Sequence, residues 1–387
     1  MEKLSESERK AHKELKERVK DCESYLYQED ERLLQWLVAR RFNVDKAEEM
    51  IRNDVKWRKE NNVDNILDWK IPEVIEKYTA FAEIGYDFNG GPIYYLMHRN
   101  FDIRGLLHSV SKQDYLRYQI YIGEKSREAQ VKQSKLLGRP VTQHSFLMDM
   151  ERFNVGDCLW KPGMDISAEA QKMFEDHYPE IINVALIINV PKIFHVIWSM
   201  FKPLMDERTI SKMQIFGKDG WQEAILAQLP AEVVPKCYGG TRVDPDGDPN
   251  CPSITNKGGK IPESYFIANR FSKSIDKSTM KILNVAKGST QVLDFQITIP
   301  NSKIKWEFIT DDYDIEFGLD FKEGNLDPIV LFQHTRVNSH LAVEIGEILC
   351  EKKGTYILTF DNVYSYLRAK KVHYNVEIIG PSQLPKE

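Results

Sequence analysis

The chain has 387 residues, more than a single compact core ordinarily organises, so two or more domains are expected. A hydrophobic fraction of 42% and a charged fraction of 29% are those of an ordinary globular protein. A net charge of -5 excludes the broad basic field on which nucleic-acid binding depends.

Residues 1 to about 75 carry helical patterning. In DERLLQWLVARRF, Leu33, Leu34, Trp36, Leu37 and Val38 repeat with a period near 3.6, and Arg40 and Arg41 close the last turn, where cations complement the helix dipole. DKAEEMIRNDVKWRKENN predicts a second helix capped by Asp45, with Glu48 completing a capping box. Ala47, Met50, Ile51, Val55 and Trp57 are its expected buried side. These helices make a small bundle too thin to stand alone.

From Gly90 the rhythm changes. GGPIYYLMHR reads as a turn and a buried strand, and Ser111 to Leu137 as a long helix with Tyr115, Tyr118, Ile122 and Ala129 among its apolar positions. HSFLMDM, VALIINV and MQIF are further strands, with DISAEAQKMFEDHY a helix between the first two. Alternating strands and helices predict an α/β sheet with helical crossovers. DPDGDPNCP at 244–252, dense in Pro, Gly and Asp, marks the expected domain boundary, giving segments 1–75, 76–246 and 247–383. Beyond Gly288 the period is two. Ile304, Trp306 and Phe308 face one way against Lys303, Lys305 and Glu307, and Val372, Tyr374, Val376 and Ile378 share a face of a later strand. The C-terminal third is therefore predicted to be an antiparallel β-sandwich.

The most informative segment is NVPKIFHVIWSMFKPLMDERTISKM, 189–213. Pro191 suits a first helical position and Pro203 limits the helix downstream. Lys192, His195, Ser199 and Lys202 fall on one narrow stripe, and Ile193, Phe194, Val196, Ile197, Trp198, Met200 and Phe201 fill the rest of the circumference. That is more apolar surface than a helix packed on one side of a sheet can hide. Either two layers sandwich the helix, or one flank faces a cavity while the other meets a membrane. Composition leaves both open.

The order of DERLLQWLVARRFNV, KWRKENN, GGPIYYL, HYPEIINVALIINVPKIFHVIWSMFKPLMDERTISKMQIFG and LPAEVVPKCYGG resembles the CRAL-TRIO lipid-binding family. The tail, with ITIPNSKIKWEFITDDYDIEFGL and GTYILTFDNVYSYLRAKKVHYNVEI, resembles a GOLD domain, and the tandem is similar to that of the supernatant protein factor and tocopherol-associated proteins. The resemblance implies a helical N-terminal subdomain, an α/β lipid pocket and a mobile gate helix at 191–205 carrying Phe194, Ile197, Trp198 and Phe201. It also implies headgroup residues: the basic pair Arg40 and Arg41, Glu180 in the YPE motif, and Lys212. A phosphate takes cationic donors and an inositol ring offers hydroxyls to a carboxylate, so these residue types fit.

On this resemblance the protein is a non-enzymatic lipid-binding and transfer protein. It encloses one hydrophobic ligand, either phosphatidylinositol or a tocopherol- or squalene-like lipid, and needs no other cofactor. A cytoplasmic location with transient attachment to Golgi or other endomembranes is implied, together with a protein partner for the GOLD domain. The alternative is a lipid-sensing adaptor whose GOLD domain recruits trafficking or signalling partners.

The remaining motifs are weak. Cys22, Cys158, Cys237, Cys251 and Cys350 show no paired short spacing, which points to reduced thiols. Neither a signal-peptide core nor a run of ~18 uncharged apolar residues is present, so any membrane contact is expected to be peripheral. No G-x-S-x-G, H-E-x-x-H or G-x-G-x-x-G occurs. His177 and His195 are the histidines expected near the pocket, as hydrogen-bonded structural residues and not metal ligands. Asp149 and Glu151 are expected in a solvated turn. Arg368, Lys370 and Lys371 either attract anionic headgroups or line a solvated loop.

Overall fold

A computed structural model of the chain describes residues 4–98, 101–153, 156, 160–255, 258–267, 277–324, 326–341 and 343–381. Cys158 lies outside them; Cys22, Cys251 and Cys350 are free thiols. The chain divides into two units, one of Met1–Arg104 with Gln113–Ile261, the other of Gly105–Lys112 with Pro262–Glu387.

The first unit opens with α1 (Glu6–Arg18), whose capping box joins Ser5 and Glu8. Helices α2 (Tyr25–Gln28), α3 (Asp30–Ala39) and α4 (Val44–Glu60) pack with it around Leu15, Leu26, Leu33, Trp36, Leu37 and Ile51. The start of α4 corrects the expectation. Its cap is Asn43, which accepts from the Lys46 N–H, and Asp45 sits inside the first turn as an acid favourable to the dipole. Its buried side differs too: Val55 is exposed and Trp57 half-buried, whereas Asp54 and Arg58 are buried. These two polar residues are covered because their partners are buried with them, as described below.

After α5 (Glu73–Tyr78) come β1 (Phe81–Tyr86), β2 (Pro92–Met97), α6 (Ile103–Ser109, most of which belongs to the second unit), α7 (Lys112–Leu137), β3 (His144–Asp149), α8 (Lys161–His177) and β4 (Ile182–Ile188). Then follow α9 (Phe194–Phe201), α10 (Glu207–Ser211), β5 (Met213–Ile215) and α11 (Trp221–Gln228). The five strands form one sheet in the order β1-β2-β3-β4-β5, parallel except for β1. Strand residues alternate between faces. Tyr95, Leu147, Leu186 and Ile188 pack against Trp221 and Ile225 of α11, so that face is closed. Phe146, Met148, Ala185 and Met213 look the other way, towards α7 and α8.

Those two helices are tied to the bundle by buried ions. Arg58 of α4 donates to Glu124 of α7 at 2.9 Å, as do Arg127 at 2.8 Å and the Tyr178 hydroxyl at 2.9 Å. Asp54 accepts from the Tyr27 hydroxyl at 2.6 Å and from His177 Nδ1 at 2.8 Å, and the His177 ring stacks on Trp57. Burial pushes the Glu124 pKa up, but Arg127 and Arg58 outweigh it and hold the carboxyl below its ordinary range.

The second unit has two four-stranded antiparallel sheets. Strands β6 (Lys281–Val285), β8 (Ser302–Thr310), β11 (Glu344–Cys350) and β13 (Lys370–Ile379) form one, in the order β11-β8-β13-β6. Strands β7 (Thr290–Ile297), β9 (Ile315–Lys322), β10 (Ile329–Val337) and β12 (Gly354–Asp361) form the other, in the order β10-β9-β12-β7. One core fed by both sheets includes Trp306, Phe308, Phe317, Phe321, Tyr356 and Phe360. The predicted alternation of β8 holds, with Ile304, Trp306 and Phe308 buried. In β13 Val372 is buried, but Ile378 is exposed where the strand runs out of the core.

Candidate binding cavity

Between the open sheet face and the two helices lies a cavity of about 320 Å³, a volume typical of small-molecule sites. Its sheet side is Phe81, Leu96, Phe146, Met148, Ala185 and Met213. Helix α7 supplies Tyr115, Tyr118, Gln119, Ile122 and Gly123, which share one helical face, and α8 with the residues after it supplies Gln171, Phe174, Glu175 and Tyr178. Gly123 has to be bare: a Cβ there would stand 2.6 Å from the Tyr178 ring. The lining is mainly carbon, and its polar groups are concentrated at a few points.

The strongest of these is at the rim. Glu180 follows Tyr178 and Pro179 in a turn where its own φ is +54°, and its carboxylate bridges two cations. Lys212 Nζ donates to Oε2 at 2.6 Å and Arg208 Nε to Oε1 at 2.7 Å. Burial pushes the Glu180 pKa up, but the bonds from Arg208 and Lys212 outweigh it and hold the carboxyl below its ordinary range. Glu180 and Lys212 both line the cavity, so two of the four residues expected at a headgroup are brought together there. Arg208 was missed by sequence reasoning, though it stands four residues before Lys212 in α10 and so shares its side.

Arg40 and Arg41 are not part of the cavity lining. Arg40 caps α3 and turns a guanidinium N–H back to the Ala39 carbonyl. Arg41 pairs at 3.3 Å with Glu207, the neighbour of Arg208 in sequence, and both partners are mostly exposed. Both arginines therefore stand outside the Glu180 cluster, with Arg41 reaching the neighbour of one of its members.

Helix α9 is shorter than the predicted 191–205. The α-helix runs from Phe194 to Phe201 and tightens into a 3-10 turn over Lys202–Leu204, since Pro203 has no N–H for the next helical bond. Phe194 and Ile197 are buried, with Trp198 and Phe201 half-buried. None of the four lines the cavity. Phe194 and Trp198 pack in a cluster with Met148, Met150, Ile187, Met213 and Ile215, and Met148 and Met213 also line the cavity. The seat of the helix is thus a continuation of the cavity floor. Its outer side is apolar as well: Ile193, Val196, Met200 and Leu204 are 40–45% exposed.

Histidine placement corrects the expectation. His177 is tied to Asp54, and exposed His195 turns Nδ1 to the Lys192 carbonyl at 2.6 Å. His98 and His144 line the cavity instead. Burial pushes the His98 pKa down to about 4; burial and then the Lys212 charge push that of His144 down to about 3, so both rings are neutral near pH 7. Period two from Phe146 and Met148 was the available signal for His144. Asp149 is also corrected. It is buried, accepting from the Tyr238 hydroxyl at 2.6 Å and Asn189 at 2.8 Å, so it orders the far sheet face and is not in a solvated turn. In the second unit Arg368 lies over the Tyr313 ring, while Lys370 and Lys371 pair with Asp314 and Asp311. Among the described residues no cluster fit to hold a metal occurs, and no helix is long and apolar enough to cross a membrane.

Comparison with known proteins agrees with this geometry. Residues 76–240 match the CRAL/TRIO domain and enclose the sheet, the cavity and α9. The chain is 28% identical over 352 residues to Protein ctg-1 of Caenorhabditis elegans, covering 89% of this chain and 90% of that one. Among solved structures it is similar to Sfh5, with 16% identity, 71% of this chain and 100% of that chain covered, and a TM-score of 0.50, a likeness of fold.

Proposed function

We propose that this CRAL/TRIO-domain protein binds one lipid in the cavity of its first unit and exchanges it at membrane surfaces, with α9 as the gate. One observation carries the reading: the cavity floor continues beneath a helix that is apolar on its outer flank as well. Such a helix can leave its seat for a bilayer without uncovering apolar surface to water.

Energetics divide the labour. Each buried methylene is worth ~0.8 kcal/mol, but a bilayer offers the chains the same environment, so chain burial sets little preference between protein and membrane. Choice of lipid falls to the polar groups. At the rim, Lys212 and Arg208 donate to a phosphate while Glu180 accepts from ring hydroxyls, which favours phosphatidylinositol among membrane lipids. Arg41, beside this cluster, adds positive charge at the approach to it.

The test is transfer of labelled phosphatidylinositol between liposomes by delipidated protein, with mass spectrometry of lipid co-purified from cells. Lys212→Ala removes a charge-assisted bond worth about 1.5–3 kcal/mol and should weaken phosphatidylinositol binding by roughly 10- to 100-fold. Trp198→Asp should slow exchange and leave equilibrium binding nearly intact. Absence of both co-purified lipid and transfer would defeat the reading.

The adaptor reading has one observation in its favour. Tyr366 and Leu367, on the loop after β12, are 87% and 85% exposed in a unit that resembles a GOLD domain. Combining Glu180→Ala with Lys212→Ala and comparing transfer with partner binding separates the two activities.

A further inference from the structure

A line of buried polar groups runs into the cavity wall. Arg32 of α3, Gln130 and Ser126 of α7, and His144 of β3 are each at most 3% exposed. Arg32 Nη1 donates to Gln130 Oε1 at 2.8 Å, Gln130 Nε2 donates to Ser126 Oγ at 3.1 Å, and Ser126 Oγ lies 2.7 Å from His144 Nδ1. A guanidinium can only donate, so the first bond fixes which end of the Gln130 amide is oxygen. The N–H end then faces Ser126 and occupies one of the two lone pairs of its hydroxyl oxygen, and the hydroxyl proton is within reach of His144 Nδ1.

A neutral imidazole has one ring proton. With Nδ1 accepting, that proton sits on Nε2, and burial keeps the ring neutral. Nε2 has no partner among the described residues and is closed to solvent. Around the ring stand Phe146 and Tyr94, both roughly perpendicular to it, with centroids at 4.7 and 5.5 Å. Aromatic rings are weak acceptors, and a buried donor left unmatched is costly. His144 and Phe146 both line the cavity, which places the ring at the wall an occupant would meet.

We propose that His144 is a specificity residue whose Nε2–H donates to an acceptor oxygen on the bound lipid, so the cavity selects an oxygenated occupant over an all-hydrocarbon one of equal size. The acceptor can be a carbonyl, ester, ether or phosphoryl oxygen. Arg32, Gln130 and Ser126 act as positioning residues that hold the proton on Nε2. The proposal rests on the cavity being a lipid site.

Two measurements test it on the full chain. Imidazole ¹⁵N–¹H correlation spectra, with His144 assigned by its loss in His144→Asn, should show Nε2 protonated and Nδ1 bare; the reverse tautomer overturns the proposal. A pyrene-labelled fatty acid methyl ester and an alkylpyrene of equal length are then offered to delipidated protein. Wild type should prefer the ester by about tenfold, the scale of one buried hydrogen bond. His144→Leu should bring the preference below about twofold with alkylpyrene binding kept, and Gln130→Leu should give an intermediate preference with a mixed tautomer signal. Equal wild-type binding of the two probes overturns the role of His144 and leaves the lipid cavity standing. Failure of both probes to bind overturns both.

Discussion

The two units use aromatic side chains to opposite ends. In the second, Trp306, Phe308, Phe317 and Phe360 meet ring to ring, with centroids 4.7–5.8 Å apart, and fill the space between the sheets. In the first, Phe81, Phe146, Phe174, Tyr115 and Tyr118 stand around about 320 Å³ of cavity. Residue type does not separate them; restraint does. The sheets of the second unit are free to close until their side chains touch, as dispersion and the hydrophobic effect favour. In the first, α7 and the residues following α8 are bonded from behind to α4 through Glu124, Arg58, Arg127 and Tyr178. A buried ion network is seldom worth more than well-packed carbon, but it has direction. Here it holds the cavity wall from its outer side, where further carbon packing would let it settle onto the sheet.

The largest expected effects break this contrast at its two anchors. Glu124→Ala leaves Arg58 and Arg127 buried without their shared partner and should cost about 3–5 kcal/mol in urea unfolding, with loss of lipid binding. Phe308→Ala in the second unit should cost a similar ~3–5 kcal/mol by opening a cavity in a filled core. Lipid binding should survive it; if it does not, the units are not functionally separable.

Acid provides a graded version. The folded-state pKa of Glu124 is depressed, so its stabilisation is fully present above the unfolded value near 4.3 and is lost as pH falls through the folded value. Glu180 follows the same sign. A fluorescence titration from pH 7 downwards should show the lipid released below about pH 4, and Glu124→Gln should flatten that loss. Release already complete at pH 6 would assign the control to other groups.

The smallest effect is expected at the cavity wall. Phe174→Ala removes a ring that already borders empty space, so it should cost ~1 kcal/mol or less, well under a comparable truncation in a filled core. A calorimetric loss as large as that of Phe308→Ala would mean that the ring packs as core.

Where residues follow a hydrophobic period, the fold was legible. The alternation of Ile304, Trp306 and Phe308 and the helical faces of α3 and α7 follow from sequence because carbon burial repeats with the backbone. The wall supports were not legible. Arg58 and Glu124 are 66 residues apart and Arg32 and Gln130 are 98, and each reads alone as a solvated polar residue of a helix. Asp149 was misread for the same reason, its partner Tyr238 being 89 residues away. Resemblance placed Glu180 and Lys212 where the cavity has them, whereas Arg208 and His144 needed the chain folded. The start of α4 moved to Asn43 because several residues there can cap and only backbone geometry chooses among them.

Met148 and Met213 belong both to the cavity wall and to the seat of α9. Thioether chains are unbranched and adapt their shape easily, so these two can repack when either side changes. An occupant that displaces either methionine thereby alters the footing of Phe194 and Trp198. If α9 is the gate proposed above, filling and opening become one mechanical event, with the helix a gauge of how far the occupant extends: a short lipid would leave it at rest, and a long one would loosen it from beneath.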